Sequence, residues 1–260
     1  MMKVVKIGGN VVDNDELLGS FCADFAKLEG PKVLVHGGGV MASRMQEQLG
    51  LRPVMVEGRR VTDAQTLEVV TMVYAGLCNK RIVSLLQKEG CNAMGLAGCD
   101  GNVIKACKRA PKLLSDGQTT VDYGLVGDVN AGSVNAGLLR SLLEAGITPV
   151  LCPITHDGKG GLLNTNADTI SSAISVALNA ELVYCFEKNG VLYDRNDPKS
   201  VIPVLTPREY EVLKSEGRVA DGMIPKLDNA FSALGSGAAG VVIRHASAIL
   251  DESLGTRLSL

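Results

Sequence analysis

The 260-residue chain is predicted to fold as an α/β protein, because short apolar strands alternate along it with helix-length segments. Two strands support this prediction. Residues 4–7 run directly into Gly8 and Gly9, and after one helix-length segment residues 33–36 run into residues 37–39. Glycine N–H groups can approach an anion closely, and a following helix N-terminus adds partial positive charge. These two strand-to-glycine exits therefore predict a phosphate-binding crevice.

Composition narrows the functional classes. With a net charge of −2, the chain is not expected to bind nucleic acid or an anionic membrane by electrostatic attraction. Only 3% of its residues are aromatic and none is Trp, so it is not expected to stack on nucleic-acid bases. The seven cysteines are scattered, odd in number and without C-x-x-C spacing, which predicts reduced thiols. No apolar run reaches transmembrane length, and the chain opens on a strand rather than a signal peptide. We expect a cytoplasmic protein.

The first half of the chain continues the alternation. An amphipathic helix follows Gly39 and extends through Leu49. Thr62 and Gln65 form a capping box that predicts the start of a long helix. The apolar residues on one face of that helix are Leu67, Val70, Tyr74, Leu77 and Leu85. Between residues 91 and 130 the pieces become short and Gly-rich, and segments 102–107, 119–121 and 125–129 are predicted to form β-hairpins.

The second half returns to longer elements. Ser133 is predicted to cap a helix that ends near Ala145, and residues 147–152 form a buried strand. A helix follows Asn166 and leads into a strand at residues 182–186. Residues 206–209 read Thr-Pro-Arg-Glu, a capping box with Pro at the first helical position. A final strand is predicted at residues 240–243.

Three places break local rules. Lys6 puts a cation in an apolar strand, where it loses hydration unless it meets an anion; alternatively, it reaches solvent from a sheet edge. Asn166 and Asp168 fit ordinary helix capping, which leaves Asn164 unexplained. Lys226 falls in the first turn of a helix that Pro225 begins, where the helix dipole disfavours a cation. A nearby anion removes that penalty, and a solvated surface lysine is the alternative.

A set of ordered motifs points to a known family. They are residues 6–9 (Lys-Ile-Gly-Gly), 36–39 (His-Gly-Gly-Gly), 58–63 (Gly-Arg-Arg-Val-Thr-Asp), 79–80 (Asn-Lys), 126–129 (Val-Gly-Asp-Val), 164–168 (Asn-Thr-Asn-Ala-Asp), 221–226 (Asp-Gly-Met-Ile-Pro-Lys) and 255–256 (Gly-Thr). In this order and spacing, over essentially its whole length, the chain resembles the N-acetylglutamate kinases of the amino acid kinase superfamily.

The resemblance implies an open three-layer αβα sandwich on a central, mostly parallel sheet. Residues 1–260 would form a single amino acid kinase domain. Within it, residues 1–163 would be the lobe that binds the acylglutamate and dimerises, and residues 164–260 would bind ATP with Mg²⁺. The implied reaction transfers the ATP γ-phosphoryl to the γ-carboxylate of N-acetyl-L-glutamate in arginine biosynthesis. No metal-ligating residue is assigned.

The resemblance also implies roles for individual residues. Lys6 would bind the transferring phosphoryl from the acceptor side and Lys226 from the nucleotide side, while Asp168 orients both lysines. Arg60 and Asn164 would hold the α-carboxylate, which suits the planar fork of an arginine. Backbone N–H groups would bind the phosphoryl oxygens and the γ-carboxylate, and they belong to Gly8, Gly9, Gly38 and Gly39. His36, between a strand and glycines, is interpreted as structural.

Two departures from the family pattern stand out. Residues 185–191 read Cys-Phe-Glu-Lys-Asn-Gly-Val, where relatives usually have Thr/Ser-Asp-Val before the glycine. The resemblance therefore predicts the class of acceptor more firmly than it predicts ATP as the donor. Arg59 occupies the position of an apolar residue near the acetyl methyl. A second carboxylate on the acyl group would explain this arginine, which makes N-succinyl-L-glutamate an alternative acceptor. Otherwise Arg59 faces solvent or pairs with Glu57 or Asp63.

Other functions remain as alternatives. Glutamate 5-kinase, carbamate kinase and uridylate kinase share the superfamily, and an amino-acid-binding sensor would keep the fold without turnover. A dinucleotide-dependent oxidoreductase is disfavoured because neither glycine run reads G-x-G-x-x-G. In this family, arginine-inhibited hexamers are joined through an extra N-terminal helix. Because this chain begins directly with a strand at Lys3, the resemblance predicts an arginine-insensitive homodimer that packs in part through the long helix after Thr62.

Overall fold

The computed structural model of the protein describes residues 1–114, 117–194, 196–219 and 223–260. Asp221 and Gly222, which open the 221–226 motif, lie outside this described part.

Strands form where the sequence is apolar and rich in β-branched residues. In chain order they are β1 (Lys3–Ile7), β2 (Lys32–His36), β3 (Met55–Val56), β4 (Arg59–Arg60), β5 (Ala93–Leu96), β6 (Cys107–Lys108), β7 (Lys112–Leu113), β8 (Thr120–Val121), β9 (Val126–Asp128), β10 (Thr148–Leu151), β11 (Ile154–His156), β12 (Leu162–Thr165), β13 (Glu181–Phe186), β14 (Val204–Leu205), β15 (Gly240–His245) and β16 (Thr256–Leu258).

Helices follow most of these strands. They are α1 (Gly9–Asp13), α2 (Asp15–Lys27), α3 (Gly39–Gln48), α4 (Ala64–Thr71), α5 (Asn79–Lys88), α6 (Ala136–Glu144), α7 (Ala167–Leu178), α8 (Pro207–Ser215) and α9 (Ile224–Gly235). A π-helical turn, Met72–Cys78, joins α4 directly to α5. Short 3₁₀ turns occupy Asp100–Asn102, Ala131–Ser133 and Ala246–Ala248.

A central sheet organises the fold. Within the described residues it has eight strands in the order β14-β16-β15-β13-β1-β2-β10-β5. Its neighbouring strands pair in parallel, except β15 and β16, which are antiparallel. The predicted mostly parallel sheet is therefore confirmed. Because β1 lies between β2 and β13, their carboxyl ends meet at one edge, where open α/β sheets bind ligands.

Helices cover both faces of this sheet. Side chains alternate across a strand, so Val5 and Ile7 of β1 face a core shared with α1 to α5, while Val4 faces a core shared with α6 to α9. Three layers result, helices on sheet on helices, and the predicted αβα sandwich is confirmed.

The region between residues 91 and 130 differs in part from the predicted hairpins. β7 and β8 do pair antiparallel, as do β6 and β9. However, β5 joins the edge of the central sheet beside β10, and β9 pairs in parallel with β12. Together β11, β12, β9 and β6 form a second sheet. The sequence prediction missed this arrangement because β12 pairs with a strand far away in the chain, which local turn signals do not report.

Two predicted helix caps were wrong and two are confirmed. The cap of α4 is Asp63, one residue after Thr62, and its side chain accepts from the Thr66 N–H at 2.8 Å. The cap of α6 is Asn135, whereas Ser133 closes a 3₁₀ turn in a capping box with Asn130. Asn166 does cap α7, and residues 206–209 form the predicted capping box at α8.

Two further details correct the sequence analysis. β15, predicted as the final strand, is followed by β16, which pairs with it antiparallel. The continuous helix from residue 64 to residue 88 is long and apolar enough to match a membrane span by length and composition. Buried core helices of other proteins can have the same length and composition. Val69, Val70, Ile82 and Leu86 of this helix are buried in the core beside the central sheet.

Candidate active site

Two glycine turns lie side by side at the carboxyl ends of β1 and β2. Gly8 precedes α1 and Gly38 precedes α3, so each turn leads from a strand into a helix. The Gly37 N–H donates to the Ile7 carbonyl at 3.2 Å, and a Cβ added at Gly37 would lie 3.4 Å from the Gly9 nitrogen. The two backbones are thus in contact, as the paired strand exits predict.

Lys6, Asp168 and Lys226 come together beside these turns. Lys6 Nζ lies 2.6 Å from Asp168 Oδ1, and Lys226 Nζ lies 3.7 Å from Asp168 Oδ2. The side chains of Lys6 and Asp168 are 6% and 11% exposed, and that of Lys226 is 29% exposed. Neither lysine is therefore a solvated surface group, and Asp168 does more than sit in the first turn of α7.

The charges of this trio are strongly coupled. Burial works to raise the pKa of Asp168, but Lys6 and Lys226 outweigh it, so the pKa lies below its usual range. Burial lowers the pKa of Lys6, against the attraction of Asp168. Two cations thus share one carboxylate, which leaves an excess positive charge that attracts an anion.

Arg60 is a second buried cation at this edge of the sheet. Its guanidinium donates to three neutral oxygens: the Gln46 side-chain oxygen, the Gly39 carbonyl at 2.8 Å and the Ser43 hydroxyl at 2.8 Å. These bonds tie Arg60 along one side of α3, from Gly39 to Gln46. Within the described residues no carboxylate lies within 4.0 Å of it, so the arrangement favours an anionic ligand.

Asn164 and Arg59 lie beside Arg60. Asn164 Nδ2 donates to the Thr62 hydroxyl at 3.1 Å, and that hydroxyl donates to the Arg60 carbonyl at 3.0 Å. Thr62, which the sequence analysis treated as a helix cap, therefore joins Asn164 to the arginine strand. Arg59 is half-buried; burial and then the neighbouring Arg109 cation lower its pKa. Within the described part of the chain, Arg59 forms no ion pair with Glu57 or with Asp63.

Two cavities open at this edge and share Gly39, Met55 and Arg60 in their walls. The larger, of about 790 Å³, is lined by Lys6, Lys226, both glycine turns and residues 186–188. The smaller, of about 180 Å³, is lined by Arg59, Arg60, Tyr74, Asn164 and Gly38. The structure thus brings every predicted binding residue to one continuous region, with Asp168 behind the two lysines.

His36 lies in the core behind the glycine turn. Its Nδ1 is 2.7 Å from the Gly37 carbonyl, and Asn79 Nδ2 donates to its Nε2 at 3.1 Å. The tautomer with the proton on Nδ1 satisfies both contacts. Burial lowers its pKa to about 4, so it is neutral at neutral pH. These contacts agree with the structural role that the sequence predicts for His36.

Sequence reasoning missed four residues of this region. Ser43 and Gln46 hold Arg60, Tyr74 lines the smaller cavity, and the Phe186 ring lies against both Lys6 and Lys226. Only Phe186 had a visible signal, since it stands in the segment that departs from the family pattern. In the same segment Glu187 accepts from Asn10 Nδ2 at 3.0 Å.

Comparisons with known proteins agree with this architecture. The sequence profile of the amino acid kinase family matches residues 1–245. A protein of Phocaeicola vulgatus named acetylglutamate kinase is 53% identical over 98% of this chain and 97% of its own length. A Methanopyrus kandleri protein of the same name is 44% identical over 96% of this chain and 97% of its own length.

Solved structures share the fold. The N-acetylglutamate synthase of Neisseria gonorrhoeae, complexed with coenzyme A and N-acetyl-glutamate, superposes with a TM-score of 0.82 at 23% identity, over all of this chain and 59% of that one. The smu.665 protein of Streptococcus mutans gives a TM-score of 0.78 at 26% identity, over 99% of this chain and 98% of that one.

Proposed function

Because the chain belongs to the amino acid kinase family, we propose that it transfers the γ-phosphoryl group of ATP to the γ-carboxylate of N-acetyl-L-glutamate, a step of arginine biosynthesis. The observation that carries this proposal is one cavity lined by Lys6, Lys226, both glycine turns and Arg60. Two full-length relatives named acetylglutamate kinase, at 53% and 44% identity, support the acceptor.

The mechanism requires few chemical groups. The acceptor carboxylate is ionised at neutral pH, so no general base is needed, and catalysis consists of positioning and of neutralising charge on the phosphoryl oxygens. Lys6 and Lys226 supply two ammonium groups. Asp168 holds them on one side of the cavity without lying in its wall, which leaves their N–H donors available to a phosphoryl group.

The acceptor is proposed to occupy the smaller cavity. Arg60 attracts its α-carboxylate, since its bonds to neutral oxygens leave the positive charge uncompensated. Asn164 donates a further hydrogen bond from the neighbouring wall. The backbone N–H groups of Gly38 and Gly39 face the γ-carboxylate, and that of Gly9 faces the phosphoryl oxygens. The Gly8 N–H, which the resemblance also assigned to the phosphoryl oxygens, instead donates to the Cys185 carbonyl at 3.3 Å.

The nucleotide is proposed to occupy the larger cavity, whose volume of about 790 Å³ lies within the range of cofactor sites. In this assignment residues 1–163 form the acceptor lobe and residues 164–260 the nucleotide lobe. Mg²⁺ enters as part of the substrate MgATP. In the described part of the chain no group of three or more His, Cys, Asp or Glu side chains is suited to a metal.

The cellular setting is also a proposal. We place this biosynthetic enzyme in the cytoplasm as a homodimer, with the π-helical turn and its neighbours as part of the interface. Exposed Met72 and Leu77 on that turn support this placement.

The alternatives are not favoured by the comparisons. Full-length relatives carry the acetylglutamate kinase name, which supports neither N-succinylglutamate as the physiological acceptor nor a sensor without turnover. The decisive experiment measures ADP release by the purified chain with N-acetylglutamate, N-succinylglutamate and free glutamate in parallel. We expect the highest kcat/KM with N-acetylglutamate. ADP release that does not depend on any acylglutamate would overturn the proposal.

A further inference from the structure

One aromatic ring contacts both lysines of the site. Lys6 Nζ lies 5.3 Å from the centroid of the Phe186 ring, and Lys226 Nζ lies 4.9 Å from the same centroid. The face of an aromatic ring carries negative electrostatic potential and attracts a cation within about 6 Å. Phe186 is only 3% exposed but forms part of the wall of the larger cavity.

The position of this ring is fixed by its surroundings. Tyr184 and Phe186 point to the same face of β13, and their rings stack with centroids 5.8 Å apart and an interplanar angle of 14°. The Tyr184 hydroxyl donates to the Asp168 carbonyl at 3.4 Å and lies 3.0 Å from the Ser172 hydroxyl. A Cβ added at Gly8 would lie 3.4 Å from the Phe186 ring. The ring is thus packed against the glycine turn and against Tyr184, which itself bonds the helix that carries Asp168.

A ring at this place has a specific advantage over a second carboxylate. Within the described residues, Asp168 is the carboxylate that lies within 4.0 Å of both mutually repelling ammonium groups, and Glu187 attracts Lys6 from a longer distance. A second carboxylate would hold them more tightly but would compete with the phosphoryl oxygens for the same N–H donors. An aromatic face attracts the ammonium groups and offers them no lone-pair oxygen, so the donors stay available to the transferred group.

From this geometry we propose that Phe186 is a positioning residue for phosphoryl transfer: its ring face holds the Lys6 and Lys226 ammonium groups, charged and in place, beside the transferring group. This role rests on the proposed function of the site. Phe186 stands in the segment in which the sequence departs from the family pattern. In this proposal its function is to position the two lysines, not to recognise the nucleotide.

The first test compares Phe186→Leu with Phe186→Tyr. Leucine keeps the apolar volume and loses the ring face, so we expect kcat to fall about tenfold while KM for N-acetylglutamate changes less than about twofold. Tyrosine keeps the ring and should retain kcat within about threefold. The matched control is Phe25→Leu, because the Phe25 ring holds Lys32 at the same 5.3 Å but lies outside both cavity walls. Its kcat should stay at the wild-type value.

The second test is the pH dependence of kcat. The charged groups that face Lys6 are Asp168 on α7, Lys226 on α9 and Glu187 after β13, and burial already lowers the pKa of Lys6. The ring favours the charged ammonium, so its removal lowers that pKa further. The loss of activity at alkaline pH should therefore begin at lower pH in Phe186→Leu than in the wild type or Phe186→Tyr.

A third readout does not depend on turnover. In protein labelled with ¹³C at lysine Cε, Lys6 should lose its proton at lower pH in Phe186→Leu than in the wild type, as NMR titration would report. If Phe186→Leu changes neither the lysine titration nor kcat, the proposed role of Phe186 is wrong. The proposed function of the site still holds in that case, provided that the wild type turns over N-acetylglutamate. Should the wild type turn over no acylglutamate, the proposed function is wrong and the titration decides the role of the ring.

If Phe186→Leu does not fold, replacement of Phe186 by 3,4,5-trifluorophenylalanine keeps the shape of the ring and weakens the negative potential of its face. The same fall in kcat and the same shift in lysine titration are expected. Wild-type values for both would overturn the proposal.

Discussion

Asp168 carries one negative charge between two ammonium groups, and this imbalance explains the chemistry of the site at the scale of single residues. Lys6 and Asp168 are almost fully buried, so their attraction is little screened by water. Lys226, at 3.7 Å and partly exposed, is held less tightly and faces the larger cavity. A phosphoryl group entering this cavity supplies the charge that the trio lacks.

Alanine at Lys6 or at Lys226 should leave the fold intact and lower kcat about 10²-fold or more, since each ammonium group stabilises charge in the transition state. Asp168→Asn should also lower kcat, because it removes the charge that positions both lysines. The measurement is steady-state ADP release, with thermal unfolding followed in parallel.

Lys3→Ala is the matched control for these variants. Lys3 lies on the same strand as Lys6 but pairs with Glu252 outside both cavity walls, so its removal should leave kcat within about twofold of the wild type. If Asp168→Asn lowered the temperature of thermal unfolding but left kcat unchanged, Asp168 would act only as a carboxylate that stabilises the first turn of α7.

Arg59 tests the selectivity of the acceptor cavity. A second carboxylate on the acyl group would meet its half-buried guanidinium in a charge-assisted contact worth about 1.5–3 kcal/mol. Arg59→Leu should therefore lower the ratio of kcat/KM for N-succinylglutamate to that for N-acetylglutamate by about 10- to 150-fold. Arg52→Leu, at an exposed arginine outside both cavity walls, is the control. An unchanged ratio would remove Arg59 from the acceptor site.

At the scale of elements, the π-helical turn between α4 and α5 shapes the acceptor cavity. It places Tyr74 in the cavity wall and Cys78 against the glycine turn after β2. π-Helical turns interrupt α-helices mostly as single local features, often at functional sites. Here the interruption lets one long helix contact both the core and the site.

Gly38→Ala tests the packing of the π-helical turn against the glycine turn after β2. Gly38 has φ +157°, and a Cβ there would lie 3.0 Å from both Cys78 Sγ and Tyr74 Cδ1. Backbone strain and overpacking should together lower the free energy of unfolding by about 2–4 kcal/mol. The measurement is chemical denaturation.

Gly39→Ala is the neighbouring control, since a Cβ there meets nothing within 4 Å and the residue begins α3. Its stability should stay within about 0.5 kcal/mol of the wild type. Equal losses of stability in the two variants would show that the contact with Cys78 and Tyr74 is not the cause.

At the scale of the whole molecule, the π-helical turn also presents an apolar outer side. Met72 and Leu77 are 58% and 49% exposed, while Val73, Tyr74 and Cys78 of the same turn are buried. Exposed apolar side chains on a helix that is otherwise part of the core are typical of a subunit interface. We therefore expect a homodimer that buries this side of the helix.

Leu77→Glu should weaken that dimer, because it places a charge in an apolar interface. Analytical ultracentrifugation should show dimers for the wild type and a shift towards monomers for the variant. Val212→Glu on α8, an equally exposed apolar residue at 49%, is the control and should remain dimeric. A monomeric wild type, or equal behaviour of the two variants, would contradict this interface.

The sequence by itself determined the features that depend on neighbouring residues. Apolar strands that end in glycines predicted the paired turns after β1 and β2, and the capping signals at Asn166 and Thr206 were correct because a cap and its partner lie three residues apart. The ordered motifs predicted the family and the αβα sandwich. Local periodicity reports which face of a regular element is buried. It was wrong for Leu77, which it placed on the apolar face of the long helix and which the π-helical turn leaves 49% exposed.

Only the tertiary structure decided how distant residues share one site. Lys6, Asp168 and Lys226 meet because β1, α7 and α9 pack on one face of the sheet. Thr62 looked like a cap, but its hydroxyl bonds Asn164, 102 positions away. The Phe186 ring reaches both lysines because β13 lies beside β1. Strand order and packing set such contacts, and neither is written in the few residues around each position.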